Sequence, residues 1–245
     1  MVRQNILHLE RFNMHKKRIA IAIDGPGGAG KSTIAKHLAK ELDILYLDTG
    51  AMYRACGLKA ARQNMDLQDR EAVAQMLDDT KVDIRFVSGL QRVFLDDEDV
   101  SEAIRTPEMS VWASDISVLP CCRKKLVALQ REIAADRSVV MDGRDIGSYV
   151  LPQAELKIFL TATPEVRAMR RYKELVDKGD GTTTYDHVLQ ELAYRDQQDS
   201  SREFAPLVCT PDAYRVDTSE MDIDTVVRTI LNLYEEKICD QETKE

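Results

Sequence analysis

This chain lacks most of the devices that anchor proteins or hold them together. None of its apolar runs is long enough to cross a membrane. Its first residues, Met1 to Asn13, lack the apolar stretch and small-residue cleavage site of a secretory signal. The five cysteines, Cys56, Cys121, Cys122, Cys209 and Cys239, are odd in number and include no C-x-x-C pair. That speaks against a disulfide framework and against a zinc site. Vicinal Cys121-Cys122 is read as inert thiol in a reducing cytosol rather than as a redox pair. His8, His15, His37 and His187 are scattered and form no ligand pair. A broad basic surface is also missing. The formal net charge is −8 and the pI is near 5.2, which argues against a nonspecific DNA or RNA binder. We find no internal repeat and no low-complexity segment. What remains, 245 residues at 44% hydrophobic and 31% charged, is an ordinary globular composition with room for one large core and an inserted subdomain.

The most informative feature that is present lies near the start. Between the apolar run from Ile19 to Ile23 and a helix-forming stretch stands Gly25-Pro26-Gly27-Gly28-Ala29-Gly30-Lys31-Ser32, followed by Thr33. It matches the phosphate-cradling pattern G-x-x-x-x-G-K-[ST] in the required setting, a buried strand before and a helix after. Glycines let backbone N–H groups turn inward around an anion. Lys31 can reach the β- and γ-phosphates, Ser32 can ligate Mg²⁺, and the helix presents its positive N-terminal end. The pattern implies binding of a nucleoside triphosphate.

Short apolar runs then alternate with helical stretches, the signature of a parallel sheet covered on both faces. Strands are expected at 18–24, 45–48, 138–142, 156–160 and 213–217, and helices at 31–42, 50–64, 70–78, 120–136, 164–178, 184–200 and 223–237. Pro120 and Pro164 suit the first turn of a helix. The alternation breaks at 82–87 and 91–95, two short strands joined through Ser88-Gly89-Leu90, which read as an antiparallel hairpin. The expected organisation is therefore an extension over 1–17, with Met14 as the natural start of the core and 1–13 dispensable. A core follows over 18–62 and 118–245, with a mobile lid near 167–185 and an insert over 63–117 beside the strand ends. Thr80-Lys81-Val82-Asp83 resembles a guanine-reading motif but lies in the insert with Thr in place of Asn, and is read as coincidence. The acidic run Asp96-Asp97-Glu98-Asp99 lacks calcium-loop spacing and is read as a solvated hairpin exit.

Charged residues elsewhere narrow the chemistry. Arg167, Arg170 and Arg171 fall on one helical face at i, i+3 and i+4. Three like charges there repel unless an anion sits among them; a solvated face paired with Glu165 and Glu174 is the plain alternative. The stretch from Lys178 to Thr184, with its glycines and threonines, suggests the mobile end of a lid. Arg195, Asp199 and Arg202 form a second stripe, which an intrahelical ion-pair ladder explains almost as well. Asp142-Gly143-Arg144-Asp145 ends a buried strand and so faces the ligand crevice of an open α/β sheet. Asp142 is placed behind the direct ligands of Mg²⁺.

Together, Asp24-Gly25-Pro26 through Ser32-Thr33, Leu47-Asp48-Thr49-Gly50-Ala51-Met52-Tyr53-Arg54, Asp142-Gly143-Arg144-Asp145-Ile146-Gly147 and Ala205-Pro206-Leu207 resemble the bacterial cytidylate kinases. The resemblance runs from Arg18 to about Lys237. It implies an α/β P-loop kinase with a five-stranded parallel sheet, a nucleoside-monophosphate-binding insert and a mobile lid. It also implies transfer of the γ-phosphoryl group of ATP, with Mg²⁺, to CMP or dCMP in a cytoplasmic monomer that binds neither nucleic acid nor membrane. By the same resemblance Ser114, Arg123 and Asp145 read cytosine, while Thr49, Tyr53, Arg54, Arg144 and Arg202 surround the acceptor phosphate. Arg195 and Asp199 contact the sugar. Arg167, Arg170 and Arg171 close on ATP with Lys31, Arg144 and Arg202 as the catalytic cations. Thr49 stands where many relatives carry Ser, so its methyl crowds the acceptor pocket.

These roles suit the chemistry. A monophosphate oxygen is already anionic near neutral pH, so no dedicated general base is required. The difficulty is joining two anions in line and away from water, which arginines, Lys31 and Mg²⁺ offset. Two alternatives stay open in the sequence: a kinase for UMP, AMP or a small metabolite, and a nucleotide-dependent switch. The switch would carry a guanine-reading motif and a D-x-x-G element, neither convincing here.

Overall fold

The run Ala20–Asp24 forms β1, and its alternation explains the whole core. Ile21 and Ile23 point to one face of the sheet and Ala22 to the other, all fully buried. Removing an Ile side chain from water contributes about 1.5–3 kcal/mol, so a strand buried on both faces is fixed in register. The computed structural model describes residues 18–242 apart from 89 and 180. The expected extension over 1–17, with the start at Met14, lies outside the described residues.

After β1 come α1 (Lys31–Glu41), β2 (Leu45–Asp48), α2 (Thr49–Arg62) and α3 (Arg70–Asp78). The chain then makes β3 (Val82–Val87), β4 (Leu90–Leu95), β5 (Glu98–Asp99), a 3₁₀ turn at Ala103–Arg105, α4 (Pro107–Ser117) and α5 (Pro120–Asp136). The remainder is β6 (Val139–Gly143), a single π turn at Ile146–Val150, β7 (Leu156–Thr161), α6 (Pro164–Asp177), α7 (Tyr185–Ser201), β8 (Tyr214–Asp217) and α8 (Ile223–Glu242). The five expected parallel strands make one sheet in the order β2-β6-β1-β7-β8. One of its faces packs with residues of α2 and α5, the other with residues of α1 and α8.

The hairpin is present, with a refinement. β4 begins at Leu90, so the turn is shorter than expected, with Ser88 at φ 52. The acidic run does more than exit the hairpin. Asp96 and Asp97 take positive φ and turn the chain so that β5 pairs antiparallel with β4, closing a three-stranded sheet. Its carboxylates are paired, Asp96 with Lys59, Asp97 with Lys81 and Glu98 with Arg62. Asp48 caps α2 by accepting from the Ala51 N–H at 2.9 Å, which starts that helix one residue earlier than expected. The π turn after Asp145 was not foreseen. α6 and α7 share a small apolar core of their own, Ala168, Leu175, Val188 and Leu192, separate from the two cores of the sheet.

Candidate active site

Register brings the site together before any side chain is considered. Asp48 of β2 lies opposite Asp142 of β6, Asp142 opposite Ile23, and Gly143 opposite Asp24 of β1. Three neighbouring parallel strands thus end at one edge of the sheet with an aspartate apiece. The glycine-rich loop leaves that edge from β1. Gly30 precedes α1 at φ 91, and Gly28 sits at φ 76 where a Cβ would lie 2.9 Å from the Arg167 carbonyl oxygen. No side chain caps the start of α1, so its first N–H groups stay open to an anion. Lys31 is buried and donates to the Pro26 carbonyl at 2.7 Å. Burial and then the nearby Arg144 push its ammonium down to about 7, a state that a polyanion beside it would reverse.

Asp142 is the hub on the next strand. Ser32 Oγ donates to its Oδ2 at 2.9 Å, Tyr46 Oη to its Oδ1 at 2.9 Å, and Thr49 Oγ1 to its backbone carbonyl at 2.7 Å. Burial, then repulsion from Asp48, raises the Asp142 carboxyl above its ordinary range. A hydroxyl and carboxylates crowded in this way are hard oxygen ligands with negative charge to spare, a donor set that fits Mg²⁺ held jointly with nucleotide phosphates. Among the described residues no cluster of three or more His, Cys, Asp or Glu could hold a metal alone.

A second group gathers between α2, α4, α5 and the end of β6. Arg123, 1% exposed, donates through Nη2 to Asp145 Oδ2 and through Nη1 to the Ser117 carbonyl at 3.3 Å. Its guanidinium lies 5.6 Å from the centre of the Tyr53 ring. Arg54 pairs with Asp48 at 2.9 Å. The backbone of Asp48 is gripped by Gln91 of β4, whose amide accepts from Asp48 N at 2.8 Å and donates to Asp48 O at 3.2 Å. The small sheet is thereby tied to the start of α2.

Asp199 organises the third group. Arg144 Nε donates to its Oδ2 at 2.7 Å, and Arg202 Nη2 donates to its Oδ1. Burial alone would raise the Asp199 carboxyl, but Arg144 and Arg202 hold it below the usual carboxylate range. Arg195 is depressed by burial and by repulsion from Arg144. With Lys31 close by, positive charge here exceeds negative.

A cleft of about 1130 Å³ joins the three groups. Of the residues singled out in the sequence it is lined by Gly27, Gly28, Ala29, Gly30, Lys31, Ser32, Thr33, Thr49, Tyr53, Arg54, Ser114, Arg123, Asp142, Arg144, Asp145, Arg170, Arg171, Arg195, Asp199 and Arg202. Gly25, Pro26 and Arg167 do not line it. The three arginines of α6 do not share one environment. Arg167 is buried, donates to the carbonyls of Ala162 at 3.1 Å and Gly27 at 3.0 Å, and pairs with Asp196 at 2.7 Å. Arg170 donates to Thr218 through both terminal nitrogens, at 2.9 and 2.7 Å. Arg171 pairs with Glu174 at 2.9 Å and, like Arg170, is half-buried.

Sequence reasoning missed several wall residues. Thr218 and Met221 follow the last strand, where the rule that ligands lie beyond the C-terminal strand ends would have found them. Arg105 of the lining carried no local signal, nor did Tyr46 and Gln91, which do not line the cleft but hold Asp142 and Asp48.

Comparison with known proteins points to one family. The sequence pattern of the cytidylate kinase family matches residues 21–236. The curated cytidylate kinase of Caldicellulosiruptor bescii is 51% identical over 218 residues, covering 89% of this chain and 96% of that protein. That of Ligilactobacillus salivarius is 48% identical over 222 residues, covering 90% and 98%. Among solved structures, an uncharacterized protein from Eubacterium ventriosum superposes with a TM-score of 0.51 at 13% identity, covering 89% of this chain and 99% of that one, a likeness of fold alone. With the family pattern spanning all three strand-end aspartates, the glycine-rich loop and the arginine clusters, this chain belongs to the cytidylate kinase family.

Proposed function

We propose that the cleft holds ATP and a cytidine monophosphate head to head and transfers the γ-phosphoryl group to CMP or dCMP, giving ADP and CDP or dCDP. One observation carries this reading. The Nε atoms of Arg54, Arg123 and Arg202 are buried and have no hydrogen-bond partner, and all three residues line the cleft. Buried donors are almost always satisfied, and three orphans around one cleft call for a ligand rich in acceptors. A nucleoside monophosphate brings anionic oxygens for Arg54 and Arg202 and ring acceptors for Arg123.

The glycine-rich loop, the open N-terminus of α1 and Lys31 take the donor phosphates. Thr49, Tyr53, Arg54, Arg144 and Arg202 surround the acceptor phosphate, and Arg195 and Asp199 reach the sugar. Cytosine meets Asp145 and Ser114 through its exocyclic amine and Arg123 through O2 and N3. Uracil would set a carbonyl against Asp145 and leave a buried acceptor unpaired; losing such pairing can cost about 10⁴–10⁵ in discrimination. Mg²⁺, where bound, would be held by Ser32 with Asp142 behind it and would neutralise charge on the β- and γ-phosphates. The Lys31 and Arg144 side chains lie where charge spreads over the transferred oxygens, and an arginine so placed can contribute about 10³–10⁵ in rate. The separate core shared by α6 and α7 supports a lid near 167–185 that closes over the donor and excludes water. The segment 63–117 serves as the acceptor-binding insert, tied to the site through Gln91. The working unit is a cytoplasmic monomer.

The test is ADP production from ATP with a panel of monophosphates. CMP and dCMP are expected to far exceed UMP and AMP; equal rates with UMP and CMP would sink the specificity.

A further inference from the structure

We propose that Asp24, which has no role in the reaction described above, is a positioning residue for pyrimidine selection: it caps the π turn that follows Asp145 and so leaves the Asp145 side chain free for the base. The inference rests on the reading of Asp145 as the residue that recognises cytosine.

Asp24 is the last residue of β1, 6% exposed, on the strand that leads into the phosphate loop. Its Oδ1 accepts from the Ile146 N–H at 2.8 Å and its Oδ2 from the Gly147 N–H at 2.7 Å. These are the first two residues of the turn Ile146–Val150, whose leading N–H groups have no partner within it. Asp145 occupies the N-cap position there, and an Asp at that position normally bends back to satisfy those same donors. Here it makes no such bond. Its carboxylate goes to Arg123 instead. A carboxylate 121 residues upstream in sequence therefore does the capping that the local residue would otherwise do.

The arrangement carries a cost that marks it as purposeful. Burial pushes the Asp24 carboxyl up to about 6, with Asp145 adding repulsion and the two N–H bonds and Lys31 opposing it. A cap supplied by Asp145 itself would avoid a second buried carboxylate but would turn the base-reading group away from the pocket. Gly147 shows how tight the contact is: a Cβ there would lie 3.3 Å from Asp24 Oδ2 and 3.2 Å from Lys157 Cδ.

Removing the remote cap should call Asp145 back to its own turn. In Asp24→Asn the side-chain oxygen can accept one N–H, while the amide nitrogen faces the other donor. We expect the ratio of kcat/KM for CMP over UMP, measured at saturating ATP, to fall at least tenfold. The fall should come through KM for CMP, with KM for ATP changing less than threefold. Gly147→Ala keeps the carboxylate and crowds it, and should move the ratio the same way by a smaller factor; it carries the test should Asp24→Asn fail to fold. Asp145→Asn is measured beside them. If Asp145→Asn lowers the ratio while both other variants leave it within twofold, the positioning role is wrong and the base-reading role stands. If Asp145→Asn itself leaves the ratio unchanged, the base-reading role fails, and with it the inference.

Discussion

Arg123 and Asp145, 22 residues apart in sequence, form a hydrogen-bonded ion pair with 1% and 4% of their surfaces exposed. Such a pair is poor evidence for stability, because removing two charges from water costs about as much as their attraction returns. A pair kept under those terms, with the Arg123 Nε still unpartnered, finds its explanation in the proposed reading of the base.

Breaking it from one side should therefore be expensive. Arg123→Met leaves Asp145 buried and unpaired and should lower the unfolding free energy by about 3–5 kcal/mol, read from urea denaturation. Asp145→Asn should cost far more activity with CMP than with UMP. A change below about 1 kcal/mol for Arg123→Met would mean that Asp145 finds another partner and that the pair is incidental.

The three arginines of α6 should separate in experiment. Arg167 staples the Gly27 carbonyl of the phosphate loop to α6 and is tied to α7 through Asp196. Arg167→Met is expected to lower the melting temperature and raise KM for ATP by about tenfold, the loss of roughly one charge-assisted hydrogen bond. Arg171 is half-buried and, among the described residues, its ion pair is with Glu174 of its own helix. Arg171→Met should change stability by no more than about 0.5 kcal/mol yet lower kcat. An unchanged kcat would remove Arg171 from the chemistry.

Asp24 gives the stability curve a pH signature. Burial raises its folded value to about 6 from 3.8 in the unfolded chain, so proton uptake favours the folded state. That contribution is complete below about pH 3.8 and disappears as the pH rises through about 6. A shift of this size corresponds to about 3 kcal/mol. Unfolding free energies of the wild type minus those of Asp24→Asn, measured from pH 4 to 8, should fall with rising pH by an amount of that order. A pH-independent difference would show that the carboxyl is not perturbed.

Much of the site was legible because its signals are local. The apolar run ending at Asp24, the glycines and Lys31 stand within one short stretch, and the register of a strand buried on both faces leaves the loop no choice of edge. Arg195, Asp199 and Arg202 were legible as a helical stripe for the same reason, since 3.6 residues per turn is a property of the backbone. Arg167, Arg170 and Arg171 show the limit. Helical spacing puts them on one side of α6, but burial against the glycine-rich loop, contact with Thr218 and pairing with Glu174 depend on what packs there.

The residues that sequence reasoning passed over make contacts across long stretches of chain. Gln91 meets Asp48 from 43 residues away, and Tyr46 meets Asp142 from 96. No periodicity or spacing encodes such pairings, because they exist only once the small sheet has docked on α2 and the parallel strands have aligned.

Local chemistry alone determined that a glycine-rich loop would leave the end of the first strand and that arginines would stand at helical spacing on two later helices. Chain folding in three dimensions decided which carboxylate caps the π turn, which pairs with Arg123 and which arginine is buried against the loop. Those choices turn on burial and on competition for the same N–H groups, and neither exists until distant segments exclude water from between them.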